Sequence, residues 1–377
     1  MIPICEPDMG ENELSNVVEA VKSGWVSSMG KFVSEFEEKF AGYCGVRYGV
    51  ATVNGTAALH LALTALDIRN GDEVIVPNLT FIATANAVLY TGAKPVFVDT
   101  TPDYWCIDPS KIENAITERT KAIIPVHLFG HPCEMDAINK IAKKYRILVI
   151  EDAAEAHGAE YRGKKVGSLS CVSCFSFHGI KIITTGEGGM CLTNDPTLAE
   201  KMEVLKDHGM DKKIKYSHNL VGFNYRLTNI QAAIGVAQLK RIDYFIERKR
   251  HSANQYTEML GNITGLELPV EKPWAKHVYW VYALLLSDKF PVSRDQTMRE
   301  LLKHGIETRN MLLPMSQQPV YNRMKQFKNM KNKYPVSEDI GRRGLYLPSS
   351  VKLTDSEIEY ICDKIRNISK LKSSRDK

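Results

Sequence analysis

The sequence lacks the features of secreted, membrane-spanning and nucleic-acid-binding proteins. Its first eight residues contain no basic stretch followed by an apolar run, which a signal peptide requires. No uninterrupted apolar run approaches the roughly 18 residues of a membrane-spanning helix. The excess of basic residues is small, 49 lysines and arginines against 44 acidic residues, and it is not gathered into basic runs. We therefore expect a cytoplasmic protein that binds neither membranes nor nucleic acid.

Cysteine is present, but not in the pattern of a disulfide-stabilised or zinc-binding protein. The eight cysteines are scattered along the 377 residues, and in the cytoplasm they should stay reduced. Cys171 and Cys174 form one C-x-x-C pair, but a zinc site usually needs two further ligands at similar spacing, and none is near. We therefore expect no metal site.

Short apolar segments alternate with amphipathic ones through the first two-thirds of the chain. This alternation predicts βαβ units and a mostly parallel, buried sheet. The predicted strands are 48–53, 73–76, 95–98, 122–126 and 148–150. The predicted helices between them are 57–66, 82–90, 109–116 and 135–145.

The second part of the chain has a different pattern. Residues 229–250 have apolar positions at helical spacing and predict one long helix that leaves the large domain. An α+β pattern follows, with a strand at 279–286 and helices near 296–304 and 355–368. We expect a large α/β domain over residues 1–250 and a small α+β domain over 251–377, whose polar tail, 370–377, should fray.

One lysine occupies an unusual position, between an apolar strand and a glycine-rich turn. Lys181 lies in the segment Ser176-Phe-His-Gly-Ile-Lys-Ile-Ile-Thr-Thr-Gly-Glu-Gly-Gly189. An amine held out of bulk water has a lowered pKa and becomes nucleophilic, as Schiff-base chemistry requires. A lysine that merely reaches from the strand end to solvent explains this segment equally well.

An acidic pair, Glu151 and Asp152, ends an apolar strand. Ligands of open α/β sheets bind at this carboxyl edge. A carboxylate at Asp152 could keep a pyridine nitrogen protonated, which turns the ring into an electron sink. Without Lys181, a helix N-cap would be the better explanation of Asp152.

Two other strand ends carry candidate ligand-binding residues. Thr56 and Ala57 begin a helix, where free N–H groups and the helix dipole suit a phosphate, and Ser176 could add a hydroxyl. Capping alone also explains Thr56. Phe81 could stack on a flat ring, although a core position is more common for a single aromatic residue.

Together these segments resemble the DegT/DnrJ/EryC1/StrS family of sugar aminotransferases, which are fold-type I pyridoxal-phosphate enzymes. The resemblance runs from about Pro7 to Ile365. Its most specific element, S-F-x-x-x-K-x-x-x-x-G-E-G-G, is met by residues 176–189, with E-D-A-A-x-A-x-G and N-Y-R-x-T-N-I-Q-A-A in support. It implies a large domain with a mostly parallel seven-stranded sheet and a smaller α+β C-terminal domain.

The resemblance also implies roles for particular residues. Lys181 would bind pyridoxal 5′-phosphate covalently, and Asp152 would hold the pyridine nitrogen. Phe81 would cover one face of the ring, and Glu155 would lie near the ring hydroxyl. The expected phosphate ligands are Thr56, Ala57, Ser176 and, from the neighbouring subunit, Asn224. A homodimer with shared active sites is therefore part of the prediction.

Within the family, the likeness is closest to the GDP-perosamine synthases, which aminate C4 of GDP-4-keto-6-deoxymannose with L-glutamate as donor. The similar segments are 7–10, 25–30, 182–186 and 221–225. They assign Trp25 and Ser27 to the nucleotide-linked keto sugar. We expect the amino sugar to serve O-antigen and lipopolysaccharide biosynthesis.

Residues 308–321 depart from the perosamine synthase pattern. Leu313 and Ser316 stand where histidines are expected, whereas Arg309 is retained and could pair with a diphosphate. Two alternatives stay open: an aminotransferase for another nucleotide-linked or free keto sugar, and a pyridoxal-phosphate-binding regulator without turnover.

Overall fold

The computed structural model describes residues 1–328, 330 and 332–371. Most of the polar tail that was expected to fray, from residue 372 onward, therefore lies outside the described residues. Within the described ranges, no helix is both long and apolar enough to cross a bilayer.

The helices and strands are numbered here along the chain. The helices are Glu11–Lys22 (α1), Lys31–Cys44 (α2), Gly55–Ala65 (α3), Ile82–Tyr90 (α4), Pro109–Ile112 (α5), Met135–Tyr145 (α6), Pro196–Lys206 (α7), Asn229–Leu239 (α8), Ile242–Leu260 (α9), Arg294–Lys303 (α10), Pro319–Asn322 (α11), Pro335–Arg343 (α12) and Asp355–Ile368 (α13). The strands are Tyr48–Thr52 (β1), Glu73–Pro77 (β2), Lys94–Val98 (β3), Thr120–Ile123 (β4), Leu148–Asp152 (β5), Glu160–Tyr161 (β6), Lys164–Lys165 (β7), Val172–Ser176 (β8), Gly189–Thr193 (β9), Leu266–Glu267 (β10), Ala275–Lys276 (β11), Tyr282–Leu286 (β12), Arg309–Asn310 (β13) and Gly344–Leu347 (β14).

The largest sheet has seven strands in the order β1-β9-β8-β5-β4-β2-β3. Strand β9 runs antiparallel to both of its neighbours, and the other neighbouring strands are parallel. Strands β2, β8 and β9 are buried along their whole length, as expected for a sheet that is covered on both faces. The predicted mostly parallel seven-stranded sheet is confirmed. Its topology brings the carboxyl ends of β2, β5 and β8 to one edge.

A second, antiparallel sheet has the order β10-β12-β14-β13. Side chains from α9, α10 and α13, among them Tyr256, Leu301 and Ile361, form one hydrophobic core with it. This is the α+β arrangement expected for the later part of the chain. Helix α9 is continuous across the predicted boundary between residues 250 and 251, so that boundary stays a prediction.

The prediction of a single helix over residues 229–250 was wrong. The chain leaves the helical conformation at Arg241 (φ −110°, ψ 4°), which separates α8 from α9. Arg241 pairs there with Asp8, and Gln238 donates to Glu13 at 2.8 Å. The break therefore coincides with the place where the N-terminal segment binds to the helix pair.

Candidate active site

Lys181 lies in the loop between β8 and β9, and its side chain is only 11% exposed. Its Nζ is 3.5 Å from Glu155 Oε1 and 3.8 Å from the centroid of the Trp280 ring. Burial lowers the pKa of Lys181, and the carboxylates of Glu155 and Asp152 oppose that shift. Because the amine is buried beside two acids, the alternative of a lysine that reaches to solvent is wrong.

Asp152 is the last residue of β5, and its carboxylate is buried. Thr84 Oγ1 donates to Oδ2 at 2.7 Å, and the Ala154 N–H donates to Oδ1 at 3.2 Å. Burial raises the pKa of Asp152, while these two hydrogen bonds and the charge of Lys181 lower it. The hydrogen bond from the Ala154 N–H is of the kind that the helix N-cap alternative predicts, but it uses only Oδ1 of Asp152. The other oxygen is held by Thr84, so the whole carboxylate has a fixed orientation.

Glu151 differs from its neighbour, because adjacent residues of a strand point to opposite faces of the sheet. It is fully buried and accepts hydrogen bonds of 2.9 Å each from the Gly167 N–H, the Leu169 N–H and the Ser170 hydroxyl. These donors stabilise the loop before β8. The acidic pair is thus divided between a structural carboxylate and one at the ligand-binding edge.

The N-terminus of α3 meets the end of β8. Asn54 is the N-cap, and its Oδ1 accepts from the Ala57 N–H at 2.8 Å, so Thr56 does not cap this helix. In a helix start of this kind, the N–H groups of Gly55 and Thr56 have no intrahelical partner. A Cβ on Gly55 would lie 2.7 Å from the Cβ of Ser176, which shows how closely helix and strand approach. A helix N-terminus beside a hydroxyl suits an anion.

Two predicted ring-binding residues have different environments. Phe81 lies immediately before α4 and is 58% exposed, so the alternative of a core position is wrong. Glu155 is buried, and its Oε2 accepts from the Phe129 N–H at 2.8 Å. Burial raises the pKa of Glu155, and Lys181 lowers it.

The residues assigned to the substrate and to the neighbouring subunit lie at the surface of the single chain. Trp25 and Ser27 are exposed, and their carbonyl oxygens accept from Asn229 at 2.7 and 2.5 Å. Asn224 is exposed, and its Oδ1 accepts from Arg226 Nε at 3.0 Å.

Arg309 is also exposed, but the small sheet brings it towards the buried acids. It pairs with Tyr346 in the register of β13 and β14. The Tyr346 ring lies 5.4 Å from the ring of Phe129, which binds Glu155. Arg309 is therefore on the Glu155 side of the site.

Three residues of the site were not predicted as functional. Thr84 binds Asp152 and is 2.9 Å from the hydroxyl of Thr80, which precedes α4, so helical spacing does not predict this contact. His157 lies inside the motif that begins at Glu151, and burial lowers its pKa to about 3. Trp280, which covers Lys181, has no comparable signal.

These residues fit pyridoxal 5′-phosphate. A protonated pyridine nitrogen beside Asp152 would stabilise its carboxylate and lower the pKa that burial raises. The α3 N-terminus would receive the phosphate, Phe81 offers an exposed ring for stacking, and Lys181 offers a buried amine. With this lysine and aspartate at the edge of a mostly parallel sheet, the structure is that of a pyridoxal-phosphate-dependent transaminase of fold type I.

Residues 7–366 match the DegT/DnrJ/EryC1/StrS aminotransferase family, and the chain belongs to this family. It is 46% identical over 364 residues to the GDP-perosamine synthase of Caulobacter vibrioides, covering 96% of each chain. It is 44% identical over 364 residues to the GDP-perosamine synthase of Escherichia coli O157:H7, covering 97% of each chain.

The fold is also that of Spr1654 from Streptococcus pneumoniae, whose PMP form superposes with a TM-score of 0.92. The two chains are 29% identical, and the match covers 98% of this chain and 97% of the other. The expectation of a pyridoxal-phosphate-dependent transaminase is confirmed. Its cofactor is pyridoxal phosphate, and its substrates are a keto sugar and an amino donor.

Proposed function

We propose that the protein transfers the amino group of L-glutamate to C4 of GDP-4-keto-6-deoxy-D-mannose, which gives GDP-perosamine. The observation that carries the proposal is the identity of 46% and 44%, over nearly the full chain, to two GDP-perosamine synthases. Perosamine made in this way would serve O-antigen and lipopolysaccharide biosynthesis. The eight free thiols support a cytoplasmic location, where cysteines stay reduced.

The buried lysine and acids have separate parts in this reaction. Pyridoxal phosphate, when bound, supplies an electron sink for the carbon that loses or gains a proton. Lys181 would hold the cofactor through its buried amine, and the same amine, when free, would move that proton. The carboxylate of Asp152, which Thr84 and Ala154 hold in place, would keep the pyridine nitrogen protonated. Glu155 Oε1 is 3.5 Å from the amine of Lys181, and its carboxylate would lie near the ring hydroxyl of the cofactor.

The helix N-terminus at Gly55 would hold the cofactor phosphate. The N–H groups of Gly55 and Thr56 would bind it, and the hydroxyls of Thr56 and Ser176 would add donors. The N–H of Ala57, the other expected ligand, donates to Asn54 Oδ1 in this structure. Phe81, whose ring is exposed, would cover one face of the pyridine ring.

Replacing Gly55 by alanine is expected to weaken cofactor binding. The new methyl group would meet Ser176 at 2.7 Å, so α3 and β8 must move apart where the phosphate binds. We expect Kd for pyridoxal phosphate to rise about tenfold or more, measured by equilibrium dialysis. Gly42→Ala is the control, because its methyl group would enter open space, and Kd should stay within about twofold. Equal Kd values for the two variants would contradict the phosphate site.

We also propose that two copies of the chain share their active sites, with Asn224 binding the phosphate held by the partner. Asn224 is exposed in the single chain, and nearby Ile214, Tyr216 and Val221 are 64%, 76% and 92% exposed. Apolar side chains exposed in one segment suit burial against a second subunit.

Shared sites predict that two inactive variants restore activity when they are combined. A dimer of one Lys181→Ala chain and one Asn224→Ala chain contains one site with both residues intact. When equal amounts mix at random, about half of the dimers are mixed, and each of these has one of its two sites intact. The mixture should therefore have about a quarter of the wild-type activity. The measurement is kcat after the two proteins have been unfolded and refolded together, with each protein refolded alone as the control. No gain over these controls would contradict the role of Asn224 in the partner's site.

The departure in residues 308–321 has two parts with different environments. Ser316 is buried: its N–H donates to Asn78 Oδ1 at 2.8 Å, and its hydroxyl donates to Glu338 at 3.0 Å. It therefore fastens this segment to the end of β2. Leu313, in contrast, is 44% exposed. If the missing histidines alter substrate choice, Leu313 is the position that does so, and another keto sugar is the second candidate substrate.

The substrate test compares three kinds of keto sugar: those linked to GDP, those linked to other nucleotides, and free sugars. Trp25, Ser27 and Arg309 are the proposed contacts of the substrate. We expect kcat/KM for the GDP-linked sugar to exceed that for the free sugar about a hundredfold or more, because Arg309 can pair with a diphosphate. An equal or better free sugar would support the second candidate. A nucleotide other than GDP that gives the highest kcat/KM would also replace the perosamine assignment.

A further inference from the structure

The amine of Lys181 is enclosed by two groups from different parts of the chain. The carboxylate of Glu155 is 3.5 Å away, and the face of the Trp280 indole is 3.8 Å away at its centroid. Trp280 itself is buried. A protonated amine is attracted to a carboxylate and also to the electron-rich face of an aromatic ring. The ammonium form of Lys181 is therefore held on both sides.

Trp280 is fixed by a hydrogen bond at each of its polar groups. Its indole N–H donates to the carbonyl of Ile180 at 2.7 Å, so the ring is tied to the residue before Lys181. Its backbone N–H donates to the carbonyl of Phe129 at 2.9 Å. Its own carbonyl accepts from the buried amine of Lys249 at 2.9 Å. The ring therefore has little freedom to move away from Lys181.

Phe129 links the two groups that enclose the amine. Its N–H donates to Glu155 Oε2 at 2.8 Å, and its carbonyl accepts from Trp280. Its φ of 55° lies in the left-handed region, which is unfavourable for a residue with a side chain and needs support from its surroundings. Glu155 and Trp280 provide that support, and their positions around Lys181 are coupled through one residue.

We propose that Trp280 is a positioning residue that covers and holds the amine of Lys181 while this amine is not bonded to the cofactor. The inference rests on the proposed role of Lys181. A buried indole N–H needs an acceptor in any case; the acceptor here is the carbonyl of Ile180, beside Lys181, and the ring face then lies over the amine. Trp280 belongs to the segment before β12 of the small sheet, so the later part of the chain would contribute directly to the proton-moving step.

The test measures how readily the amine of Lys181 reacts with acetic anhydride, by mass spectrometry of the peptide that contains it. Loaded wild-type protein, Trp280→Leu, Trp280→Phe and Trp274→Leu are labelled before and after treatment with L-glutamate. Trp274 is the matched control, because it is partly buried against the rings of Tyr104, His131 and Tyr161.

After glutamate, we expect Lys181 to be labelled about tenfold faster in Trp280→Leu than in wild type, because the cover is gone. Trp280→Phe keeps an aromatic ring but loses the hydrogen bond to the Ile180 carbonyl, so we expect the labelling rate of Lys181 to rise about threefold. Trp274→Leu should stay within twofold of wild type. In steady state, kcat of Trp280→Leu should fall about tenfold, while KM for glutamate and for the keto sugar stays within about twofold.

Each outcome decides between the two proposals. If glutamate makes Lys181 more reactive neither in the wild type nor in Trp280→Leu, the proposed function fails. If glutamate frees Lys181 but Trp280→Leu is labelled and turns over like the wild type, the role of Trp280 alone is overturned. Equal labelling of Trp274→Leu and Trp280→Leu would overturn it as well. If Trp280→Leu does not fold, Trp280→Phe decides, and unchanged labelling of that variant overturns the proposal.

Discussion

Replacing Lys181 by alanine is expected to lower kcat for amino transfer by about four orders of magnitude, because the covalent bond to the cofactor and the proton transfer are lost together. Lys249, another buried lysine, cannot take over. Its amine donates to the carbonyls of Trp280 and Ser349 at 2.9 and 2.7 Å, behind the ring that covers Lys181. The measurement is single-turnover conversion of the keto sugar with excess enzyme.

Two controls separate the amine from other properties of Lys181. Lys181→Arg keeps the positive charge but not a nucleophilic amine, so it should be as inactive as the alanine variant. His178→Ala removes a half-exposed neighbour, and its kcat should stay within about threefold of wild type. Activity of Lys181→Ala within about tenfold of wild type would mean that another residue carries the cofactor.

Asp152→Asn is expected to lower kcat by about two to three orders of magnitude. Asparagine keeps the shape of the side chain but cannot balance the charge of a protonated pyridine nitrogen, so the electron sink is lost. Thr84→Val removes the 2.7 Å hydrogen bond to Asp152 but leaves the carboxylate, and about a tenfold loss is expected. Both effects are measured as the rate of the half-reaction with L-glutamate.

The control for Asp152→Asn is the adjacent Glu151→Gln. Glu151 accepts from two backbone N–H groups and a hydroxyl, so the change should lower the melting temperature. The kcat of the folded Glu151→Gln protein should stay within about threefold of wild type. The opposite pattern, a large loss of kcat at Glu151 and none at Asp152, would show that the two carboxylates have been assigned the wrong way round.

Much of the fold could be predicted because its periodic signals are local. The helices Ile82–Tyr90, Met135–Tyr145 and Asp355–Ile368 have the bounds that were predicted. The break between α8 and α9 could not be predicted, since the apolar spacing continues through it. It coincides with contacts to Asp8 and Glu13, more than 200 residues earlier in the chain.

The site, like the fold, has residues that the sequence could predict and residues that it could not. Lys181, Asp152 and Ser176 lie on or just after parallel strands, and the geometry of such a sheet brings strand ends together. Trp280 could not be predicted, because its place over Lys181 depends on hydrogen bonds to Phe129 and Lys249, which are far from it in sequence. Trp25, Ser27 and Asn224 were assigned by resemblance alone. They are exposed in the single chain, and their proposed roles depend on a substrate and a second subunit.

The most direct test of the account is an absorbance measurement on the purified, cofactor-loaded protein during sequential additions. A band at about 410–430 nm should fall when L-glutamate is added and return when GDP-4-keto-6-deoxy-D-mannose follows, and Lys181→Ala should lack both changes. A fall without a return would leave an aminotransferase with a different sugar. A band that does not respond to glutamate or to any other amino donor would contradict catalysis by Lys181 and would leave a protein that only binds the cofactor.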